Sequence, residues 1–175
     1  MRTSIALIGF MGTGKTVVGQ RLAEKLGKEF IEMDALIEKT AGKPIPEVFH
    51  KEGEIRFREL EIEVTRATAG KKNAVIACGG GIVLNKINID RLTKQCVIVC
   101  LEASPAVILK RTSGDKDGRP LLAVTDRLQK IKELLKYRRP YYERAAEITV
   151  NTSRISINTA VDNIIVMLKN YETNH

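Results

Sequence analysis

With 175 residues, 43% of them hydrophobic and 29% charged, the chain has the size and balance of one soluble globular domain with its own core. No stretch approaches the roughly 20 apolar residues of a membrane span, and the apolar opening after Met1-Arg2 ends in glycines without a small-residue cleavage site, so export is not expected and a cytoplasmic location is. The net charge of +8 lies on helix-like segments that mix both signs, with 5% aromatic residues and no nucleic-acid-binding motif, which points to small anionic ligands rather than DNA or RNA.

The first expected strand, 4–8, runs directly into Gly9-Phe10-Met11-Gly12-Thr13-Gly14-Lys15-Thr16. This is the phosphate-loop pattern G-x-x-x-x-G-K-[ST], in its required place between a buried strand and a helix, here expected at 15–26. Glycines let backbone N–H groups close on an anion, and the helix adds the positive end of its dipole. Lys15 offers a mobile charge to the outer phosphates, and the Thr16 hydroxyl a ligand for Mg²⁺. A second strand, 30–33, ends in Glu32-Met33-Asp34, where period two puts both carboxylates on one side. Near a Mg-nucleotide they suit metal-bound water or a hydroxyl proton; capping the following helix is the plainer role.

Helices are expected at 34–41 and 53–69, separated by Pro44 and Pro46. Arg58 sits on the second of them with Glu54 and Glu61 at i−4 and i+3, a spacing that usually means a solvated, salt-bridged face. The strand expected at 74–78 is followed by Gly79-Gly80-Gly81, at the strand end where open α/β sheets bind ligands. A short helix at 85–94, a strand at 96–101 and a helix at 104–112 come next, the last opened by the cap signal Ser104-Pro105. The stretch 113–120 is polar, bears glycine and lacks periodicity, as either a surface loop or a lid carrying Arg119 would. Within it Asp115-Lys116-Asp117-Gly118 spells D-x-x-G, but no strand leads into it, and a GTPase reading is disfavoured. A helix at 126–145 with Asp126 as N-cap carries Arg138-Arg139-Pro140, whose guanidinium forks suit a carboxylate. A strand at 147–150 and a helix at 156–171 complete an alternation that argues for a mostly parallel sheet covered on both faces.

Cys78, Cys96 and Cys100 form no C-x-x-C pair, and the two histidines, His50 and His175, lie far from them. Zinc and Cys-His chemistry are therefore not expected; buried small hydrophobes in a reducing compartment are.

Taken together, the phosphate loop, Asp34, Phe57-Arg58, Gly79–Gly81, Arg119-Pro120-Leu121-Leu122 and Tyr137-Arg138-Arg139-Pro140 with Tyr142 resemble the shikimate kinase family across almost the whole chain. The resemblance implies a P-loop kinase of the nucleoside-monophosphate-kinase type: a three-layer α/β/α domain around a five-stranded parallel sheet, spanning 1–175. A substrate-binding helical insert at about 34–61 and a lid at about 113–125 belong to it. The implied activity is ATP-dependent phosphorylation of the 3-hydroxyl of shikimate, with Lys15, Asp34 and Arg119 as catalytic residues. ATP would be held by Gly12, Thr13, Gly14, Lys15, Thr16, Arg111, Arg119 and Arg154. Shikimate would be held by Asp34, Arg58, Gly79, Gly80, Gly81 and Arg138. Mg²⁺ would be bound directly by Thr16 and through water by Glu32 and Asp34. The expected partners are ATP and shikimate, with no nucleic acid or membrane and a monomer as default.

Two positions depart from the family's pattern: Glu32 stands where D-x-D is common, and Ala77-Cys78 where a hydroxyl often precedes the glycines. Both bear on Mg²⁺ binding, and neither removes a first contact. Another small-metabolite kinase such as gluconate kinase, or a non-catalytic ATP-binding module, is the alternative.

Overall fold

In the computed structural model, which describes residues 2–114 and 119–174, the strands are Ser4–Ile8 (β1), Glu29–Glu32 (β2), Ala74–Ala77 (β3), Cys96–Glu102 (β4) and Ile148–Asn151 (β5). They form one sheet in the order β2-β3-β1-β4-β5, with every pairing parallel. Between and around them run the helices Lys15–Leu26 (α1), Met33–Ala41 (α2), Ile45–Thr68 (α3), Lys86–Leu92 (α4), Pro105–Thr112 (α5), Arg127–Ala145 (α6) and Ile157–Asn174 (α7).

Strand side chains alternate between two cores. Ala6, Ile8, Ile76 and Ile98 face Ile37, Leu60, Ile108 and Ile131 of α2, α3, α5 and α6. Ile5, Leu7, Val75 and Val97 face Val18, Leu22, Val161 and Ile164 of α1 and α7. Because helices cover both faces, β1 and β3 are buried along their whole length, which is why their sequences read as unbroken apolar runs. The three-layer expectation therefore holds. The chain leaves β1 towards β2 and β3 on one side, while β4 and β5 lie on the other. The loop after β1 thus opens at the switch point of the sheet, where ligands bind in such folds.

Three local expectations need correction. The second strand stops at Glu32, so Asp34 lies in the first turn of α2 and strand periodicity does not relate it to Glu32. Neither carboxylate caps that helix, since Glu32 at the N-cap makes no side-chain cap bond. The third helix starts at Ile45 rather than 53. Pro46 fits its first turn, where no N–H partner is lost, and Glu38 of α2 accepts from the Ile45 N–H at 2.9 Å. Gly53, where the expected helix begins, has non-helical angles and does break α3 with a kink, so the expected helix is its second limb and the first limb, 45–52, is the part left unassigned.

The cap expectations hold: Ser104 accepts from the Val107 N–H and Asp126 from the Gln129 N–H. All three cysteines are buried and unpaired by disulfide. Of the segment expected to form a lid, Asp115 to Gly118 lie outside the described residues; Arg119 leads into a 3-10 turn, Pro120–Leu122, whose Leu122 is buried.

Candidate active site

The phosphate loop takes the conformation its glycines permit. Gly9, Gly12 and Gly14 have φ of 138°, 77° and 100°, and a Cβ on Gly9 would collide with the Leu101 carbonyl of β4. The Lys15 ammonium donates to the carbonyls of Gly9 and Phe10 at 2.8 and 2.9 Å, folded over its own loop. Burial lowers its pKa to about 8; the Asp34 charge opposes this and the Arg119 charge adds to it. Thr13 turns inward, its hydroxyl donating to the Phe10 carbonyl at 2.8 Å. Thr152, just past β5, donates to the Thr13 carbonyl at 2.8 Å and so ties the loop to the far edge of the sheet. Arg111 is held by the same residue, reaching the Thr152 carbonyl at 2.7 Å and the Gly12 carbonyl at 3.2 Å.

Two of the cavities beside this loop meet at Asp34. One, of about 420 Å³, is lined by Gly12, Gly14, Lys15, Thr16, Glu32 and Arg111, with Val17 and Ile157 as apolar walls. The other, of about 100 Å³, is lined by Arg58, Gly81 and Arg138 and by Ile45, Phe49, Phe57, Pro120 and Leu121. The first suits a nucleotide and the second only a small metabolite. They share a wall of Met11, Asp34, Gly79, Gly80 and Arg119. Arg154 lies exposed on the turn after β5 and is not among the residues described as lining either cavity.

The smaller cavity is strongly charged for its size. Arg58 bonds Glu54 at 3.2 Å and Glu61 at 3.1 Å, and Glu61 is fully buried. The i,i+3 and i,i+4 pattern is therefore no solvated face: it aims a guanidinium into a pocket. Burial raises the Glu61 pKa against the pull of Arg58. Arg138 is 2% exposed and lies over the Phe10 ring, 5.7 Å from its centroid. The three glycines make room for these groups. A Cβ on Gly81 would strike the Arg58 guanidinium, and one on Gly79 would lie 3.0 Å from Glu61 Oε2 and 3.2 Å from Asp34 Oδ1.

The acidic pair fits a hard cation. Glu32 Oε2 and Asp34 Oδ1 are buried without a hydrogen-bond partner among the described residues, and the Thr16 hydroxyl lies beside Glu32. Burial raises both carboxyl pKa values, with Thr16 opposing it at Glu32 and Lys15 at Asp34. Hydroxyl and carboxylate oxygens are the donor set that Mg²⁺ prefers. Among the described residues no group of three or more His, Cys, Asp or Glu gathers to hold a metal alone, so nucleotide and water oxygens would complete its shell.

A phosphate loop at the switch point of a parallel sheet, opening through a shared wall onto a small cationic pocket, defines a P-loop kinase acting on a small acceptor. Comparison with known proteins sharpens this. The family model described as Shikimate kinase matches residues 11–169, and the chain belongs to that family. It is 48% identical to the shikimate kinase of Pelotomaculum thermopropionicum, over 96% of each chain. The structure of shikimate kinase from Acinetobacter baumannii in complex with shikimate is similar with a TM-score of 0.92 at 38% identity, over 97% of this chain and 95% of that one. A gluconokinase from Sinorhizobium meliloti shares the fold alone, with a TM-score of 0.63 at 18% identity over 99% and 97% of the two chains.

Glu61 enters the sequence reading only as part of a solvated, salt-bridged face and Thr152 is not singled out in it, although both act at the site. The Glu61 spacing from Arg58 is visible in the sequence, but its burial is not. Thr152 carries no local signal, because its partners Thr13 and Arg111 lie 139 and 41 residues away.

Proposed function

We propose that the chain transfers the γ-phosphoryl group of ATP to the 3-hydroxyl of shikimate, giving shikimate 3-phosphate. The observation that carries this reading is the place of Asp34, in the wall between the nucleotide cavity and a pocket furnished with two arginines. A carboxylate there can accept a hydrogen bond from an acceptor hydroxyl facing the phosphate chain and take its proton as transfer proceeds. Its raised pKa, set by burial, makes it a stronger base than an exposed aspartate. Arg58 and Arg138 pair with the substrate carboxylate, and Gly79–Gly81 let the ring approach the backbone closely.

Lys15 exchanges the Gly9 and Phe10 carbonyls for phosphate oxygens. Arg119, whose charge already reaches both Lys15 and Asp34, draws near the migrating group. Gly12, Gly14 and Thr16 cradle the phosphates, while Arg111 flanks the base, with Arg154 on the nearby turn. Thr13 holds the loop's shape from beneath. Mg²⁺, held by Thr16 and through water by Glu32 and Asp34, supplies positive charge to the phosphate oxygens when bound. The whole chain acts as one kinase domain, with residues 34–61 as substrate-binding insert and 113–125 as lid. It works as a cytoplasmic monomer without nucleic acid; among the described residues no helix is long and apolar enough to cross a membrane.

ADP release from Mg-ATP with and without shikimate, using gluconate and a nucleoside monophosphate as parallel acceptors, tests the reading. Turnover strictly dependent on shikimate is expected. ATP binding without shikimate turnover would leave the fold in place and remove the acceptor assignment.

A further inference from the structure

Arg138 and Tyr142 are separated by four residues on α6, so they share one face of that helix, and both are buried. The Tyr142 hydroxyl does not turn to solvent. It donates to the carbonyl of Gly80, 62 residues away in the chain. That carbonyl is one of three in the triple-glycine loop. The Gly79 and Gly81 carbonyls are taken locally, by the N–H groups of Ile82 and Leu84 at 3.2 and 3.0 Å in the 3-10 turn that follows. The Gly80 carbonyl between them is secured from outside the loop, by the phenol. Gly80 itself lies against the working arginine, since a Cβ there would sit 3.6 Å from Arg138 Nη1 and 3.3 Å from the Met11 N–H nitrogen. Burial pushes the phenol pKa up and outweighs the nearby Arg138 charge, which favours the phenolate, so the hydroxyl stays protonated.

We propose that Tyr142 is a positioning residue for the acceptor site: its hydroxyl fixes the triple-glycine loop at Gly80 against the Arg138 guanidinium, so that carboxylate and ring are held in one register. The claim rests on the proposed reading of the smaller cavity as the shikimate site. A buried hydroxyl that merely needed a partner would satisfy itself with any nearby carbonyl. This one joins the two elements that the substrate must contact together. Losing it frees the loop to shift relative to α6, which weakens acceptor binding and leaves the nucleotide's own contacts at Lys15 and Thr16 untouched.

Tyr142→Phe removes the hydroxyl and keeps the ring's packing. Steady-state kinetics on this variant, on Arg138→Lys and on the double variant separate the possibilities. We expect Tyr142→Phe to raise the KM for shikimate about tenfold, with kcat and the KM for ATP within about twofold of the parent. Its effect in the Arg138→Lys background should be clearly smaller, because the fork it orients is gone. A lowered melting temperature with unchanged shikimate KM would make Tyr142 a structural residue only and overturn the proposal. So would effects that simply multiply in the double variant. If Arg138→Lys itself left the shikimate KM unchanged, the acceptor-site reading would fail, and the positioning role with it.

Discussion

Lys15 shows how a local motif and its surroundings divide the work. Its ammonium is satisfied by two carbonyls of the phosphate loop, but burial makes the charge expensive and lowers its pKa from 10.5 to about 8. The unfolded chain therefore binds this proton more strongly than the fold between about pH 8 and 10.5. Across that window the burden on stability is relieved as pH rises, and below pH 8 it is fully present. Phosphate oxygens reverse the balance by favouring the charged form. ATP binding just above pH 8 should thus be accompanied by net proton uptake, seen in calorimetry as a binding enthalpy that varies with the buffer's ionisation enthalpy. Lys15→Met should abolish that dependence. A parent enthalpy indifferent to buffer would show that Lys15 stays charged in the free protein. The motif's spacing identifies Lys15 without any structure, because the loop's chemistry is contiguous. Its altered pKa is set by burial in the folded chain, with Asp34 opposing the shift and Arg119 adding to it, and both of these arrive from other elements.

At the scale of elements, α3 departs most from what the residues suggest. Pro44, Pro46 and Gly53 look like interruptions, yet Ile45–Thr68 runs through with a kink at Gly53, whose φ of 84° and ψ of 173° are open essentially to glycine alone. The kink divides the acceptor pocket's wall. Ile45 and Phe49 come from before it and Phe57 and Arg58 from after it, with the two phenylalanine rings 4.8 Å apart. Lys43 and Arg56 both pair with Glu52, at 2.6 and 3.6 Å, and brace the bend from either side. Space is no obstacle to a larger residue at Gly53, since nothing lies within 4 Å of a Cβ there. Backbone strain alone should make Gly53→Ala cost about 1–3 kcal/mol. Urea denaturation reads that loss, and the shikimate KM should rise with it as the two halves of the wall change angle. Full stability in the variant would mean that the kink straightens freely. Helix propensity alone misses the first turns of α3, because the group that satisfies the Ile45 N–H is Glu38, on the preceding helix.

For the molecule as a whole, the far end of the sheet is closed by a polar knot around Glu147. Its carboxylate accepts from the Ile98 N–H at 2.8 Å and the Tyr171 hydroxyl at 2.7 Å and pairs with Arg2 at 2.8 Å, joining the first residues, β4 and α7. Burial works to raise its pKa, but Arg2 and the two hydrogen bonds outweigh this and hold it below the usual value of 4.5. A carboxyl lowered in this way stabilises the fold above its unfolded pKa, and the contribution is lost as pH falls below 4.5 through the folded value. Glu147→Gln should therefore lower the melting temperature at pH 7, and the gap from the parent should close as pH is taken down through that range. A gap constant with pH would assign the effect to packing rather than charge.

The order of strands and helices and the phosphate loop were legible from residue order alone, whereas Asp34, Arg58, Gly79–Gly81 and Arg138 were drawn into one set only by the resemblance to a family. Apolar period, glycine placement and motif spacing are local properties that survive in one dimension. What only the tertiary structure decided is which charges are buried and what holds them. Arg58 points into a pocket because Glu61 beneath it is sealed from water, Gly80 is fastened by Tyr142 from 62 residues away, and Thr13 by Thr152 from 139 away. Those contacts cross the sheet's layers. Their energies depend on desolvation and geometry, neither of which is written in the spacing of residues along the chain.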